Sequence, residues 1–538
     1  MSGKKANKQQ LPKDGIEGLK ENFSGDATSG FMVFLLALPL SIGIAKASDF
    51  PPIFGLVTAI IGGIVVSLFA GSRLTIKGPA AGLIVIASGA VAAFGGGEQG
   101  WRLALGACVV AGFIQIGFGF LKLGKLSDFF PGAAIHGMLA AIGVIIMSKQ
   151  IHFLLGIDPA HLKGKEPLEL LAMIPESLQH ENAHLTEIGI GCLVILVAFN
   201  YIKNQRIKKI PAPLVVLAVA IPLGQALHIK TEGAVHNFAL VSVGNIIEIL
   251  QKQFVNVDLS GISSHTGAFI EYVVLFSLIG TLESLLTVKA IDGMDPFKRK
   301  SNTNKDIIAV GIGNTLSGII GGLPMISEVA RSSANVGYGG KTRWSNFFHG
   351  LFLLFALLFA VPIINMIPNA ALAAMLIFVG FRLAHPREFK HMYHIGIDQF
   401  IVFVATLMIT LATDLLVGVG SGILIEIIIN LKHGTALKNL FNSNVNTEMN
   451  GNEVLVSITG DAVFSNLIGV KKKLNLIPEG KKVTVNVSEL GVCDHTSLIA
   501  LNEFKSDYER SDGTVLITGF ENHRQVSQDP TSTRIHKK

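Results

Sequence analysis

Four side chains in this sequence carry charge where charge is costly. Glu283 stands inside a long apolar run, within Thr281-Leu282-Glu283-Ser284-Leu285-Leu286-Thr287. Holding a carboxylate in such a run costs about 2.5 kcal/mol or more, so it is a functional candidate by default. Thr287 follows at i+4, on the same helix face. A carboxylate and a hydroxyl on one face suit a Na+ ion or a proton. Glu328 and Arg331 lie three residues apart in a second apolar segment. They either pair with each other along one helix, or Arg331 adds positive potential to an anion site. Lys77 precedes a third such segment and reads as an anchor at the cytoplasmic surface. His136 is isolated, and its position assigns it no function.

Two glycine–proline stretches lie beside these charges: Lys77-Gly78-Pro79-Ala80-Ala81-Gly82 and Gly321-Gly322-Leu323-Pro324. Each leads into an apolar segment too short to cross a bilayer alone. A half-helix that starts in mid-membrane leaves backbone N–H groups unpaired and carries a partial positive charge at its start. Two such starts facing each other make an anion site without requiring an arginine. Glycine lets the backbone approach the ion, and proline suits a first helical turn. The candidate anion-binding residues are Pro79, Ala80, Ala81 and Gly82 on one side and Pro324, Met325, Ile326 and Ser327 on the other. Arg331 joins them.

The elements that must position these groups are membrane helices. Half of the 538 residues are hydrophobic and only 15% are charged, against about 25% in ordinary soluble domains. The apolar blocks run from about residue 29 to 432, and the last hundred residues are ordinary in polarity. Spans of roughly 20 apolar residues are expected near 29–48, 53–70, 80–95, 103–121, 132–150, 185–201, 210–228, 268–290, 306–321, 324–337, 346–366, 370–384, 397–415 and 417–432. The expected organisation is a cytoplasmic tail at 1–28, a fourteen-span transporter domain at 29–435 and a soluble domain at 443–530.

Charge fixes the direction. Loops after even-numbered spans carry Arg73, Lys122, Lys125, Lys203, Arg206, Lys208, Lys209, Lys298, Arg299, Lys300 and further basic residues. Loops after odd-numbered spans are poor in them; the long one at 151–184 has five Asp or Glu against Lys163 and Lys165. The positive-inside rule then puts both termini in the cytoplasm, in agreement with an even span count. The net charge of +6 follows from this topology and does not point to nucleic acid. The lysine-rich start (Lys4, Lys5, Lys8, Lys13, Lys20) lacks an apolar core and a cleavage site, so no removable signal peptide is expected. Cys108, Cys192 and Cys493 are too few and too scattered for a disulfide framework or metal cluster.

Fourteen spans divide into two sevens, and the short span is third in each half. Matched broken spans are the best sequence pointer to a transporter's binding site. Leu35–Ala47 set against Leu278–Ala290 also matches Ser41 with Ser284, Lys46 with Lys289 and Ala47 with Ala290. Because seven is odd, the second half must be inverted relative to the first. After Ser443 the pattern changes to strands at Val454–Ile458, Lys482–Val487 and Thr514–Thr518, with helices near 465–475 and 495–508. Asp494 is the expected N-cap of the second helix.

These residues resemble the SulP sulfate permease family, the solute carrier family 26 type, over nearly the whole chain. The resemblance rests on Ala37-Leu38-Pro39 with Asp49-Phe50-Pro51-Pro52, and on Gly78 to Gly82. It rests also on Glu283-Ser284-Leu285-Leu286 with Asp292-Gly293-Met294, and on Gly321 to Pro324 with Arg331-Ser332, Asn335 and Gly339 to Thr342. The tail is similar to a STAS domain, with Asp494-His495-Thr496-Ser497 at its helix-start motif. The resemblance implies a seven-plus-seven inverted repeat with core and gate domains, a homodimer, and an anion held between the third and tenth spans. In the bicarbonate-transporting branch, positions matching Glu283 and Thr287 help bind Na+. In soluble STAS proteins a Ser at the helix start is phosphorylated, which makes Thr496 or Ser497 a regulatory candidate; a capping role is the simpler reading. Lys77 and Glu328 depart from the small or neutral residues usual in the family.

The expected function is therefore secondary transport of bicarbonate or sulfate across the cell (inner) membrane, by Na+ or H+ symport or by exchange, without a cofactor. The rivals are a nucleobase–proton symporter of the same fold, which also uses carboxylates on the eighth and tenth spans, and an anion channel or signalling scaffold. No nucleotide loop or nucleophile motif points to an enzyme.

Overall fold

The structure is a computed structural model that describes residues 11–162, 165–202, 204, 207, 210–229, 239–244, 257–509 and 513–537. Lys4, Lys5, Lys8, Lys163, Lys203, Arg206, Lys208 and Lys209 lie outside the described residues. The chain divides into two compact units: Met1–Gly124 with Gly143–Arg382, and Lys125–Ile142 with Leu383–Lys538.

The longer helices of the first unit, among the described residues, are α1 (Gly15–Ala47), α2 (Pro52–Ile60), α3 (Ile84–Ala93), α4 (Gly97–Phe120), the latter part of α5 (Gly132–Leu154), α6 (Ala183–Tyr201), α7 (Ala212–Ala226), α8 (Thr266–Met294), α9 (Thr303–Ile320), α10 (Val329–Gly337), α11 (Trp344–Phe359) and α12 (Asn369–Leu383). Local chemistry sets several starts. Asn182 and Asn302 each accept the amide three residues on, from Leu185 and Lys305, and so satisfy one orphan donor of the first turn. Pro52 opens α2 at a position where its missing N–H costs nothing. Beyond Ile60, α2 widens into a π-helical turn, Ile61–Val66.

Across the whole chain, seven helices among the described residues are long and apolar enough to cross a membrane, and five shorter apolar helices accompany them. The protein is thus a multi-pass helical membrane protein. Close helix crossings are made by glycine. A Cβ on Gly63 of α2 would fall 2.5 Å from the Gly350 Cα of α11, and one on Gly311 of α9 would fall 2.7 Å from the Gly112 carbonyl oxygen of α4. Side chains at those points would force the backbones apart. A separate apolar core joins the end of α5 to α6, α7 and α12 through Leu154, Leu185, Ile188, Val216, Ala220 and Ala374.

Two short strands interrupt the helices. β1 (Ile76–Pro79) and β2 (Met325–Glu328) pair antiparallel, with Ile76 opposite Glu328 and Pro79 opposite Met325. Inside a bilayer every backbone polar group must find a partner within the protein. Two broken segments that face each other meet that demand by pairing.

The second unit contains the start of α5, then α13 (Pro386–Ile395), α14 (Ile397–Ala412), α15 (Leu415–Lys432) and an α/β region. Its sheet runs β7 (Thr514–Thr518), β5 (Lys482–Asn486), β4 (Glu453–Ala462), β6 (Leu490–Cys493), β9 (Arg534–His536) and β8 (His523–Gln525), with β3 (Asn444–Asn450) also paired to β4. β4 pairs parallel with β5 and β6, and β5 parallel with β7. Val454, Val456 and Ile458 alternate inward and pack with Val483 and Val485, as a half-buried strand requires. Helices α16 (Leu467–Leu474) and α17 (His495–Glu509) cover that face with Val470, Leu474, Leu498 and Leu501.

The three expected strands and two expected helices are all present. After Phe520 the sequence leads to a turn and the β8–β9 hairpin. The α/β region also contacts residues that precede it in the chain. Lys471 Nζ reaches Asp128 at 3.0 Å, and the Gly132 amide donates to Thr496 Oγ1 at 3.2 Å. These contacts tie it to the start of α5.

Candidate anion site

The site is built where β1 and β2 meet, and it lies wholly within the first unit. Residues Ile76 to Pro79 are all buried, and so are Met325 to Ser327. In the first broken segment a short helix follows the Gly/Pro stretch, but Pro79 ends β1 and does not open a helical turn: Ala80 is extended, Ala81–Leu83 form a tight 3-10 turn, and α3 follows.

The second segment needs a correction. The expected helix start at Pro324–Ser327 is a strand, and the helix begins at Val329. The reason is visible in the hydrogen bonds. The Leu323 amide donates to Thr58 Oγ1 at 2.8 Å, the Met325 amide to Asn314 Oδ1 at 2.6 Å, and the Ser327 amide to Ser284 Oγ at 2.9 Å. Side chains from α2, α9 and α8 thus hold this backbone extended. Its donors at Met325 and Ser327 are spent within the protein. The N-cap of α10 is Glu328, whose carboxylate accepts the Arg331 amide at 2.7 Å.

Arg331 is fully buried. Its Nη2 donates to the Pro79 carbonyl at 3.2 Å, which links α10 to the end of β1. Nε lies 3.9 Å from the Glu328 carboxylate, too long for a hydrogen bond, and Nε and Nη1 have no hydrogen-bond partner among the described residues. Nη1 rests against Gly78, where an added Cβ would be 2.7 Å away. Glycine there makes room for the guanidinium. Arg331 thus pairs only loosely with Glu328 and keeps two nitrogens without a hydrogen-bond partner among the described residues.

Glu283 and Thr287 are both buried on α8. Glu283 Oε1 has no hydrogen-bond partner. Both carboxylate oxygens lie 2.2 Å from the place a Cβ on Gly82 would take. Glu283 therefore rests directly on the turn that leads into α3, and any larger residue at 82 would displace it.

The surface-anchor reading of Lys77 is overturned. Lys77 is fully buried, and its Nζ lies 2.9 Å from Asp306 Oδ1 of α9, with Thr75 Oγ1 as a further partner. Asp306 also accepts the Gly71 amide at 3.1 Å, the Ser72 amide at 2.9 Å and Ser327 Oγ at 3.1 Å. One carboxylate thus holds the turn before β1, β1 itself and β2. Sequence reasoning missed Asp306 because it falls on the first turn of its helix, where an acid is ordinarily read as dipole compensation. Its signal was the charge complementarity with Lys77. His136 pairs with Glu388 at 3.1 Å in the second unit and has no part in this site.

In the C-terminal region, Asp494 Oδ1 accepts the Ser497 amide at 2.8 Å and Oδ2 accepts the Phe464 amide at 2.6 Å. Ser497 is buried, and its amide serves the cap. Thr496 is half-buried and its hydroxyl oxygen accepts the Gly132 amide.

Apolar spans around a polar site built from two paired broken segments define a membrane transporter. The sulfate permease family matches residues 23–406, and the chain belongs to that family. It is 26% identical to the putative sulfate transporter YvdB of Bacillus subtilis over 93% of this chain and 92% of the relative. It is 25% identical to the bicarbonate transporter BicA of Synechocystis sp. over 93% and 88%. Among solved structures, the transmembrane domain of a cyanobacterial BicA superposes with a TM-score of 0.65 at 25% identity, covering 74% of this chain and 98% of that one. SLC26A9 shares the fold at 14% identity, with a TM-score of 0.65 over 93% and 85%.

Proposed function

We propose that this chain is a secondary transporter of small inorganic anions, bicarbonate or sulfate, driven by Na+ or H+ symport or by anion exchange. The observation that carries the proposal is Arg331: a fully buried guanidinium with two unspent nitrogens, set between the ends of two broken spans. A buried charge in a membrane demands a partner, and an anion supplies it. The substrate lies between the 79–82 turn and the α10 start, with Val329 and Ala330 offering the first amides of that helix. Glu283 and Thr287 take the coupling Na+ or proton. The relatives named above include a putative sulfate transporter and a bicarbonate transporter, which speaks against the nucleobase symporter.

The transporter has fourteen spans in a seven-plus-seven inverted repeat, both termini cytoplasmic, in the cell membrane, as a homodimer. The packing supports the repeat. α11 lies along α1 and α2, while α4 lies along α8 and α9. The eleventh span against the first and second is the repeat equivalent of the fourth against the eighth and ninth. The glycine crossings, Gly63 with Gly350 and Gly311 with Gly112, fall on these matched pairs. The C-terminal α/β region is a STAS domain.

The test is uptake of labelled bicarbonate and sulfate into proteoliposomes, with and without Na+ and pH gradients, repeated for Glu283→Gln. No saturable uptake of either anion under any cation gradient refutes the proposal. Full cation-dependent uptake by Glu283→Gln refutes the coupling site alone.

A further inference from the structure

Both helix starts at the site already face a carboxylate of the chain itself. Glu328 takes the Arg331 amide at 2.7 Å, one of the first-turn donors that a helix offers to an anion. Glu283 lies against the backbone of Gly82, at the turn into α3. Meanwhile Arg331 keeps Nε and Nη1 unpartnered while fully buried, and Glu283 keeps Oε1 unpartnered. The site thus holds unspent donors together with two internal anions.

Charge sharpens the point. Glu328 lies in electrostatic range of Glu283 on α8 and of Arg331 on α10, and Arg331 in range of His349 on α11, while Ile76 of β1 stands opposite Glu328 in the strand pair. Lys77 is committed to Asp306. That leaves Glu328, together with Glu283 until it takes its cation or proton, against one guanidinium. An incoming anion meets a guanidinium already matched by a carboxylate of the chain.

We propose that Glu328 is a tethered competitor of the transported anion: its carboxylate holds the α10 start until substrate displaces it, and so sets affinity and charge selectivity. This rests on the anion reading above. Displacement needs no chemistry beyond rotation of one side chain away from the Arg331 amide. The amide and the guanidinium then pass to the substrate. A divalent anion is repelled by the resident carboxylate twice as strongly as a monovalent one at the same distance. Glu328 therefore biases the carrier toward monovalent substrate.

The experiment uses the full chain in proteoliposomes and measures KM and Vmax for bicarbonate and for sulfate. Glu328→Gln and Glu328→Ser remove the charge but keep an oxygen that can cap α10. Glu328→Asp keeps charge and cap together. The KM for bicarbonate is expected to fall about tenfold in both neutral variants, and the KM for sulfate to fall further. Glu328→Asp should show no such fall. A residue that merely caps the helix would leave KM alone in all three variants. Unchanged or raised KM in the neutral variants overturns the proposal while leaving the anion reading intact. Absence of saturable uptake by the unaltered chain overturns both. Failure of both neutral variants to insert, with Glu328→Asp inserting normally, also overturns it, because the charge would then be structural.

Discussion

Asp306 invites a test that separates a structural charge from a decorative one. Its carboxylate and the Lys77 ammonium are 2.9 Å apart, with side chains 2% and 0% exposed. At an effective dielectric of about 20, two unit charges at that distance attract by roughly 6 kcal/mol. Breaking a buried pair from one side typically costs about 3–5 kcal/mol, because the survivor stays buried and uncompensated. The survivors here are not equal. In Lys77→Met, Asp306 keeps three donors: the Gly71 and Ser72 amides and Ser327 Oγ. In Asp306→Ala, Lys77 keeps only the Thr75 hydroxyl, and the two amides and Ser327 lose their acceptor as well. Asp306→Ala should therefore fall at or above the top of that range and Lys77→Met near its bottom. The double variant should recover part of the loss, giving a coupling of about 2 kcal/mol or more. The assay is reversible SDS denaturation of the detergent-solubilised chain, followed by helicity, for the four members of the cycle. Additive single losses, or a larger loss for Lys77→Met, would refute the reasoning.

Gly63→Ala should destabilise the protein by about 1–3 kcal/mol, because its Cβ would meet the Gly350 backbone at 2.5 Å; Gly117→Ala, with nothing within 4 Å, should be neutral or slightly stabilising in the same denaturation assay. Arg331→Gln should raise the KM for anion by about ten- to a hundredfold with little change in expression, since a charge-assisted contact is worth about 1.5–3 kcal/mol; an unchanged KM would remove Arg331 from the site. Burial pushes the Asp494 carboxyl up to about 6. Its folded form therefore binds a proton more tightly than its unfolded form, and its contribution to stability is lost as pH rises from about 4 through about 6. The gap corresponds to about 3 kcal/mol. Asp494→Asn gives up one cap acceptor at every pH, but its stability relative to the unaltered chain should improve steadily across that window; a pH-independent difference in melting temperature would contradict the assignment.

Much of the architecture was legible because bilayer physics leaves few options. Twenty-residue apolar runs, charged loops of alternating bias and matched glycine–proline breaks all lie along the chain itself. The Asp494 cap and the strands of the C-terminal region were readable for the same reason: each is decided by neighbours a few residues away. What escaped depends on contacts between distant segments. Met325 to Glu328 form a strand because Thr58, Ser284 and Asn314 take or flank their amides, and no local pattern announces that. Lys77 looks like an interfacial lysine until Asp306, 229 residues away, is set beside it. Glu328 reads as an ion-pair partner for Arg331, yet its stronger contact is with that residue's backbone.

The pairing of β1 with β2 bears on how such a carrier evolves. Side chains alternate across a strand, so a slip of one residue turns every one of them to the opposite side. The register from Ile76–Glu328 to Pro79–Met325 is shared by both halves of the chain. Single-residue insertions or deletions between Thr75 and Gly82, or between Leu323 and Arg331, would therefore unmake the site, whereas substitutions would only retune it. Lineages descending from such a scaffold can change their cargo by spelling alone. Aligned relatives should never vary in length across these two stretches, and should vary in residue type only where packing leaves room, as it does not at Gly78 and Gly82.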